Sequence, residues 1–280
     1  MLRAAQLLDE IGAPEDIPRL RAVAKALKVD GQLGKRLARR LAPQVVVEDQ
    51  GRVSIAIGSR LVAGTQVRRK VLAALCFLIS RPDFSATRDQ ILDALWPDLD
   101  PNVALNSLNQ TVYFLRRVFE PDYKEEISPE YLHHASDVLW LDKDLVSARS
   151  ADCWALVRAA SSELAPRHVD RLSDTYQAKF ALDFAYEDWA SAYRDGLHAS
   201  YLQVTEAAVS ADMASGHFDR AIRLARRGLE VDPEAGELEL SLLRLYRQTG
   251  AHSAAAEQYA HYAAAVRNEL GVEPPPLEAI

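Results

Sequence analysis

Apolar side chains recur at more than one period along this chain, and the changes of period mark its elements. Leu7, Leu8 and Ile11, then Leu20, Val23, Ala24 and Leu27, fall at helical spacing on either side of Gly12-Ala13-Pro14. From residue 44 to residue 64 the period shortens to two. Val53, Ile55 and Ile57 alternate there with Ser54, Ala56 and Gly58, which predicts strands. A helix follows over Thr65–Ser80, with Val67, Val71, Leu72, Leu75, Leu78 and Ile79 on one side. A second helix begins at Thr87, whose partner three residues on, Gln90, completes a capping box. It carries Ile91, Leu92, Leu95 and Trp96 and stops at Pro97. Asp100-Pro101 supplies an N-cap and a first-turn proline for a third helix running to about Phe119. After an acidic loop, Tyr131–His134 and Val138–Asp142 read as two short strands around Ala135-Ser136-Asp137.

Strands, three helices and a hairpin, in that order, are the layout of a winged helix-turn-helix domain. Its third helix is the most informative segment. At ~100° per residue, Ala104, Leu105, Leu108, Val112, Leu115 and Phe119 form one core-facing stripe. Asn102, Asn106, Gln110, Tyr113 and Arg117 fall on the opposite side, flanked by Asn109 and Arg116. No acid lies between Asp100 and Glu120. A merely solvated helix face would be rich in Glu and Lys. This one offers amides and guanidiniums, the groups that bond adenine and guanine edges in the major groove. Arg68-Arg69-Lys70, near the start of the first helix, is placed to grip phosphate, although a solvated charge run explains it almost as well. His133 and His134 sit in the wing, where one could enter the minor groove; a surface pair without a role is the plainer reading.

Residues 144–280 read as helix after helix, with an internal repeat. Gly216 and Gly250 are 34 residues apart, as are Ala221 and Ala255. That period, with glycine between paired helices, is the tetratricopeptide signature. One unit pairs Leu197–Ser215 with Phe218–Val231, and the next pairs Leu238–Thr249 with Ser253–Leu270. Stacked pairs leave a groove suited to a peptide, a second protomer or a partner protein. The expected fold is therefore mainly α. Residues 1–44 form a short helical segment resembling one HEAT-like repeat, 45–143 a winged helix domain with a small sheet and three helices, and 144–280 an all-α repeat domain.

Charge sharpens this division. The chain carries −7 overall, with residues 1–45 at +4, 46–143 at −3 and 144–280 at −8. The C-terminal half would be repelled by phosphate, so any nucleic-acid contact must be local to the winged domain. Lys35-Arg36-Leu37-Ala38-Arg39-Arg40 is either a phosphate contact or a solvated basic face. Two cysteines, Cys76 and Cys153, are too few and too distant for a disulfide framework and fit a reducing cytoplasm. The longest apolar run, Val71–Ile79, is far too short for a membrane span, and the N-terminal sequence lacks the pattern of a secretory leader.

Signs of catalysis are thin. The chain has no glycine-rich phosphate loop, no nucleophile elbow and no histidines at metal-ligand spacing with acids on one helix face. No catalytic residue, cofactor or metal is expected.

Several strings resemble the antibiotic-regulatory type of transcriptional activator, which joins a winged helix domain to a bacterial transcriptional activator domain. They are Ile91–Pro97 (ILDALWP), Asn106–Phe119 (NSLNQTVYFLRRVF), Asp188–Leu202 (DWASAYRDGLHASYL), Gly216–Pro233 (GHFDRAIRLARRGLEVDP) and Leu270–Pro276 (LGVEPPP). The resemblance covers Val45–Pro276 and implies a cytoplasmic activator. It would bind direct-repeat promoter sites on double-stranded DNA as tandem protomers, a homodimer, and contact RNA polymerase. It assigns DNA contacts to Asn106, Asn109, Gln110, Tyr113, Arg116 and Arg117. The wing departs from the family pattern, with Ser136-Asp137-Val138 in place of a glycine-tyrosine pair. So does the helical domain, with alanine where a glycine is usual near Ala178-Lys179-Phe180. A different reading of the same chain is a repeat-based scaffold whose winged domain makes protein contacts.

Overall fold

The computed structural model describes residues 32–125 and 128–280. The HEAT-like pattern at residues 1–31 lies outside the described residues. The described residues form two compact units, one containing those up to Ala151 with Phe180–Tyr193, the other Asp152–Lys179 with Arg194–Ile280.

The first unit opens with α1 (Gln32–Leu41) and then the strands β1 (Val45–Glu48), β2 (Ser54–Ile57) and β3 (Arg60–Ala63). Val45, Val47, Ile55 and Ile57 are buried, as the two-residue period requires. A strand that the sequence did not reveal, β7 (Val146–Ala148), pairs in parallel with β1, giving the order β3-β2-β1-β7. Three residues are too few to display a period.

The helix expected over Thr65–Ser80 is shorter, α2 (Arg69–Ile79), because Gly64–Gln66 form a separate 3₁₀ turn. Gly64 is required there: a Cβ would stand 2.6 Å from the Val53 carbonyl oxygen that its own N–H bonds at 2.9 Å. Every residue from Val71 to Ile79 is buried, so this helix is apolar on all sides for the usual reason, burial on all sides. Next come β4 (Ser85–Thr87), α3 (Arg88–Leu95), α4 (Pro101–Phe119) and the hairpin β5 (Leu132–Ala135) and β6 (Val138–Leu141). β4 pairs with β6, so the wing is a three-stranded sheet, β4-β6-β5. The Thr87–Gln90 capping box is formed, at 3.3 and 2.9 Å. Ser136, in the hairpin turn, has φ +54 at a position glycine would adopt more readily.

Phe180–Tyr193 adds to this unit along the β1–β2 turn. Ala181 and Leu182 donate to the Asp49 and Gly51 carbonyls, and the Asp183 carboxylate accepts from Val53 N–H at 2.7 Å. Phe180 and Phe184 are buried, and Trp189 meets Phe77 edge-on. The left-handed residue here is Ala181, φ +46.

The second unit holds most of α5 (Arg149–Ser162), α6 (Pro166–Thr175), most of α7 (Asp188–Ala214), α8 (Phe218–Val231), α9 (Gly236–Gln248) and α10 (His252–Leu270). The turns between α7 and α8 and between α9 and α10 contain Gly216 and Gly250, both at positive φ, and α8 packs on α9 and α9 on α10. The 34-residue spacing is thus the spacing of two equivalent helix turns.

Candidate nucleic-acid interface

The helix α4 is fixed at both ends. The Asp100 carboxylate accepts from Asn102 N–H at 2.9 Å and Pro101 occupies the first turn. At the other end Arg60 of β3 donates to the carbonyls of Val118 and Phe119, at 2.5 and 3.1 Å. Ala104, Leu108, Thr111, Leu115 and Phe119 are buried. The buried stripe is rotated slightly from the expected one: Thr111 is inside, while Leu105 and Val112 are half-buried. The rotation leaves the opposite face as the sequence implied. Asn102, Asn106, Asn109, Gln110, Tyr113 and Arg117 are exposed and Arg116 half-exposed.

Side chains on that face differ in what they already touch. Arg117 donates to the Tyr113 hydroxyl at 2.8 Å, and Arg116 lies over the Tyr123 ring. The side-chain amides of Asn106, Asn109 and Gln110 have no hydrogen-bond partner among the described residues. These are bidentate groups, exposed on a rigid helix and unsatisfied except by solvent.

Arg68-Arg69-Lys70 lies at the first turn of α2, and its three cations have separate local partners. Arg68, an exposed residue, stacks over Phe114 at 3.7 Å from the ring centroid, a cation–π contact. Arg69 pairs with Glu187 at 2.9 Å and bonds the Asp183 carbonyl at 3.2 Å. Lys70 donates to the Leu95 carbonyl at 2.5 Å, closing the C-terminal end of α3. His133 and His134 point to different surroundings, as neighbours on a strand must. His133 stacks on Trp140, rings 5.0 Å apart and 7° from parallel, with Nε2 3.1 Å from Asp142. His134 is exposed.

The basic run of α1 is engaged with the wing. Lys35 pairs with Glu130 at 2.6 Å, and the Arg39 guanidinium forks between both oxygens of Asp142 and Asp144. Partial burial alone would raise the Asp142 carboxyl; the hydrogen bonds from Arg39 and His133 overcome it and hold it below the ordinary carboxylate range. Two of the cations in that run are therefore neutralised by acids of the same unit.

Two polar constellations escaped sequence reading. Asp49 is fully buried and accepts from both the backbone N–H and the hydroxyl of Ser150, at 2.9 and 2.5 Å; burial pushes its carboxyl up to about 7. In the second unit Tyr176 Oη meets His198 Nδ1 at 3.0 Å, and His198 Nε2 meets Asp232 at 2.7 Å. Tyr176 and Tyr201 stack beside them, 4.2 Å apart. Their partners lie 22 to 101 residues away, beyond any spacing rule. No cluster of His, Cys, Asp or Glu among the described residues could hold a metal ion. No described helix is long and apolar enough to cross a membrane. A groove of about 490 Å³ lies along α8, α9 and α10, walled by Arg226, Leu229, Leu242, Tyr246, Gln258 and His261.

Comparison with known proteins finds similarity to transcriptional regulators. Residues 141–277 match the bacterial transcriptional activator domain. Regulatory protein AfsR of Streptomyces coelicolor is 26% identical over 232 residues, which cover 78% of this chain and 22% of AfsR. The chain thus spans about a fifth of that relative's length. A solved structure of Mycobacterium tuberculosis EmbR in complex with a low-affinity phosphopeptide has the same fold, at a TM-score of 0.59 and 20% identity, over 85% of this chain and 64% of EmbR. A winged helix domain of three helices and a small sheet is thus followed by a match to the bacterial transcriptional activator domain, and over 78% of its length the chain is similar to a regulatory protein.

Proposed function

We propose that this protein binds promoter DNA sequence-specifically, with α4 lying in the major groove. The observation that carries this is the acid-free exposed face of α4, where Asn106, Asn109 and Gln110 present amides without partners among the described residues. Asn and Gln pair with adenine through two hydrogen bonds and Arg117 with guanine, so the face supports base readout rather than phosphate grip alone. Arg116 and Tyr113 border it and serve phosphate or a thymine methyl. Arg68, on the first turn of α2, adds a backbone contact. His134 offers a wing contact; His133, occupied by Trp140 and Asp142, holds the wing in shape instead.

The sites read would be direct promoter repeats bound by tandem protomers, with the helical domain serving self-association or contact with RNA polymerase in the cytoplasm. Selection from a random duplex library with the purified chain tests the reading. An enriched motif of repeated half-sites is the expected result, and loss of that enrichment in Gln110→Ala ties it to α4. Failure to enrich any motif removes the proposal. The groove along α8, α9 and α10 favours a second reading, a repeat scaffold that binds a protein segment, which would survive that failure.

A further inference from the structure

One side chain on the exposed face of α4 does not match its neighbours. Val103 is 52% exposed, an apolar β-branched residue among amides. Its place is at the edge of that face. At ~100° per residue, it lies between the directions of Asn106 and Gln110 and those of the half-buried flank. Asn106 follows it by one turn and Gln110 by two, so the three form a single row along the helix. The Ser107 hydroxyl is engaged by the helix itself, Oγ donating to the Val103 carbonyl at 2.9 Å. An isolated exposed valine on a protein surface is ordinary. One set in a row of unpartnered amides, on a helix anchored at both ends, has a defined chemical complement. Major-groove edges offer donors, acceptors and one apolar group, the thymine 5-methyl.

We propose that Val103 reads the 5-methyl group of a thymine, so that one position of the half-site selects T by its methyl alone. This rests on the DNA-binding reading above. It also fixes a distance. Val103 and Gln110 are seven residues apart, about 10 Å at ~1.5 Å per residue, which is about three base steps at ~3.4 Å each. The methyl-read thymine should therefore lie about three positions from the base that Gln110 contacts.

The test compares duplexes carrying the selected motif with thymine replaced by deoxyuridine, one position at a time. Uracil keeps every hydrogen-bonding group and lacks only the methyl. Fluorescence anisotropy on the full chain should show affinity falling about fourfold at one position, the equivalent of burying one methyl-sized group at ~0.8 kcal/mol. Val103→Ala should bind the thymine and uracil duplexes alike at that position and remain sensitive to adenine changes. Gln110→Ala should show the converse, losing adenine discrimination and keeping the methyl effect. Because Val103 is exposed, an unchanged thermal midpoint for Val103→Ala is the check on folding. If a motif is selected and Gln110→Ala weakens it, but no thymine is sensitive to its methyl, Val103 has no such role and the DNA-binding reading stands. The same holds if Val103→Ala keeps the uracil penalty in full. If no motif is selected, both fall together.

Discussion

Arg117 donates a hydrogen bond to the Tyr113 hydroxyl across one turn of α4, at 2.8 Å, with its guanidinium 5.7 Å from the ring centroid. Both residues are exposed, so this bond does little for stability. It orders two long side chains on the face that also carries Asn106, Asn109 and Gln110. A guanidinium held by a neighbour loses less rotamer freedom on meeting a base.

Arg117→Ala should therefore weaken cognate binding by about 1–3 kcal/mol if it makes a bidentate base contact. The thermal midpoint should hardly move, since exposed substitutions away from caps and cores stay within about 0.5 kcal/mol. Tyr113→Phe keeps the ring and removes the anchor, and should cost less than Arg117→Ala. Titration of one cognate duplex against all three proteins decides the order.

Neighbouring cations on α2 should behave differently from one another. Arg68, exposed and stacked on Phe114, is the phosphate candidate; Arg68→Ala should weaken all sequences uniformly and lower the salt slope by about 1. Lys70 closes the C-terminal end of α3, so Lys70→Ala should lower stability by about 0.5–1 kcal/mol, as loss of an exposed capping contact does. Binding measured from low to high salt, beside denaturant unfolding, separates the two.

Asp49 should make the first unit less stable in mild alkali than in mild acid. Its carboxyl sits at about 7 in the folded chain, raised by burial from 3.8. A raised carboxyl holds its proton in the folded state after the unfolded state has lost it. Its contribution is complete below about 3.8 and is lost as pH rises through about 7, at ~1.4 kcal/mol for each unit between the two values. Denaturant unfolding at pH 5 and pH 8 should show the fall. Asn in place of Asp49 cannot ionise, so Asp49→Asn should flatten it. A profile unchanged by the substitution would assign the pH dependence to other groups.

Gly64→Ala tests the packing that seats α2. The added Cβ would lie 2.6 Å from the Val53 carbonyl and 3.0 Å from Leu72 Cδ2. Neither the backbone oxygen nor the buried leucine can yield without moving the β2–β3 sheet away from α2. A loss of about 1–3 kcal/mol is expected, the usual cost of overpacking. Thermal unfolding of this variant beside Gly236→Ala, where a Cβ meets nothing within 4 Å, provides the comparison.

Local signals in the chain determined a good part of this protein. The Thr87–Gln90 box, the Asp100-Pro101 start, the two-residue period through Ile55 and Ile57, and the spacing of Gly216 and Gly250 each depend on residues a few positions apart. So does the polar face of α4, because a helix repeats every 3.6 residues and its two sides can be read from one string. What only the tertiary structure decided are the pairings across long separations. β7 joins β1 over about a hundred residues, and Phe180–Tyr193 returns to the β1–β2 turn across more than that. Arg69 meets Glu187, Arg39 meets Asp142, and Ser150 meets a buried Asp49. Periodicity states which way a side chain faces and nothing of what it will face. That is why Arg68 and Lys70, two residues apart in the sequence, end with different partners, the Phe114 ring and the Leu95 carbonyl, and why an exposed valine could be singled out only once the amides beside it were seen without partners among the described residues.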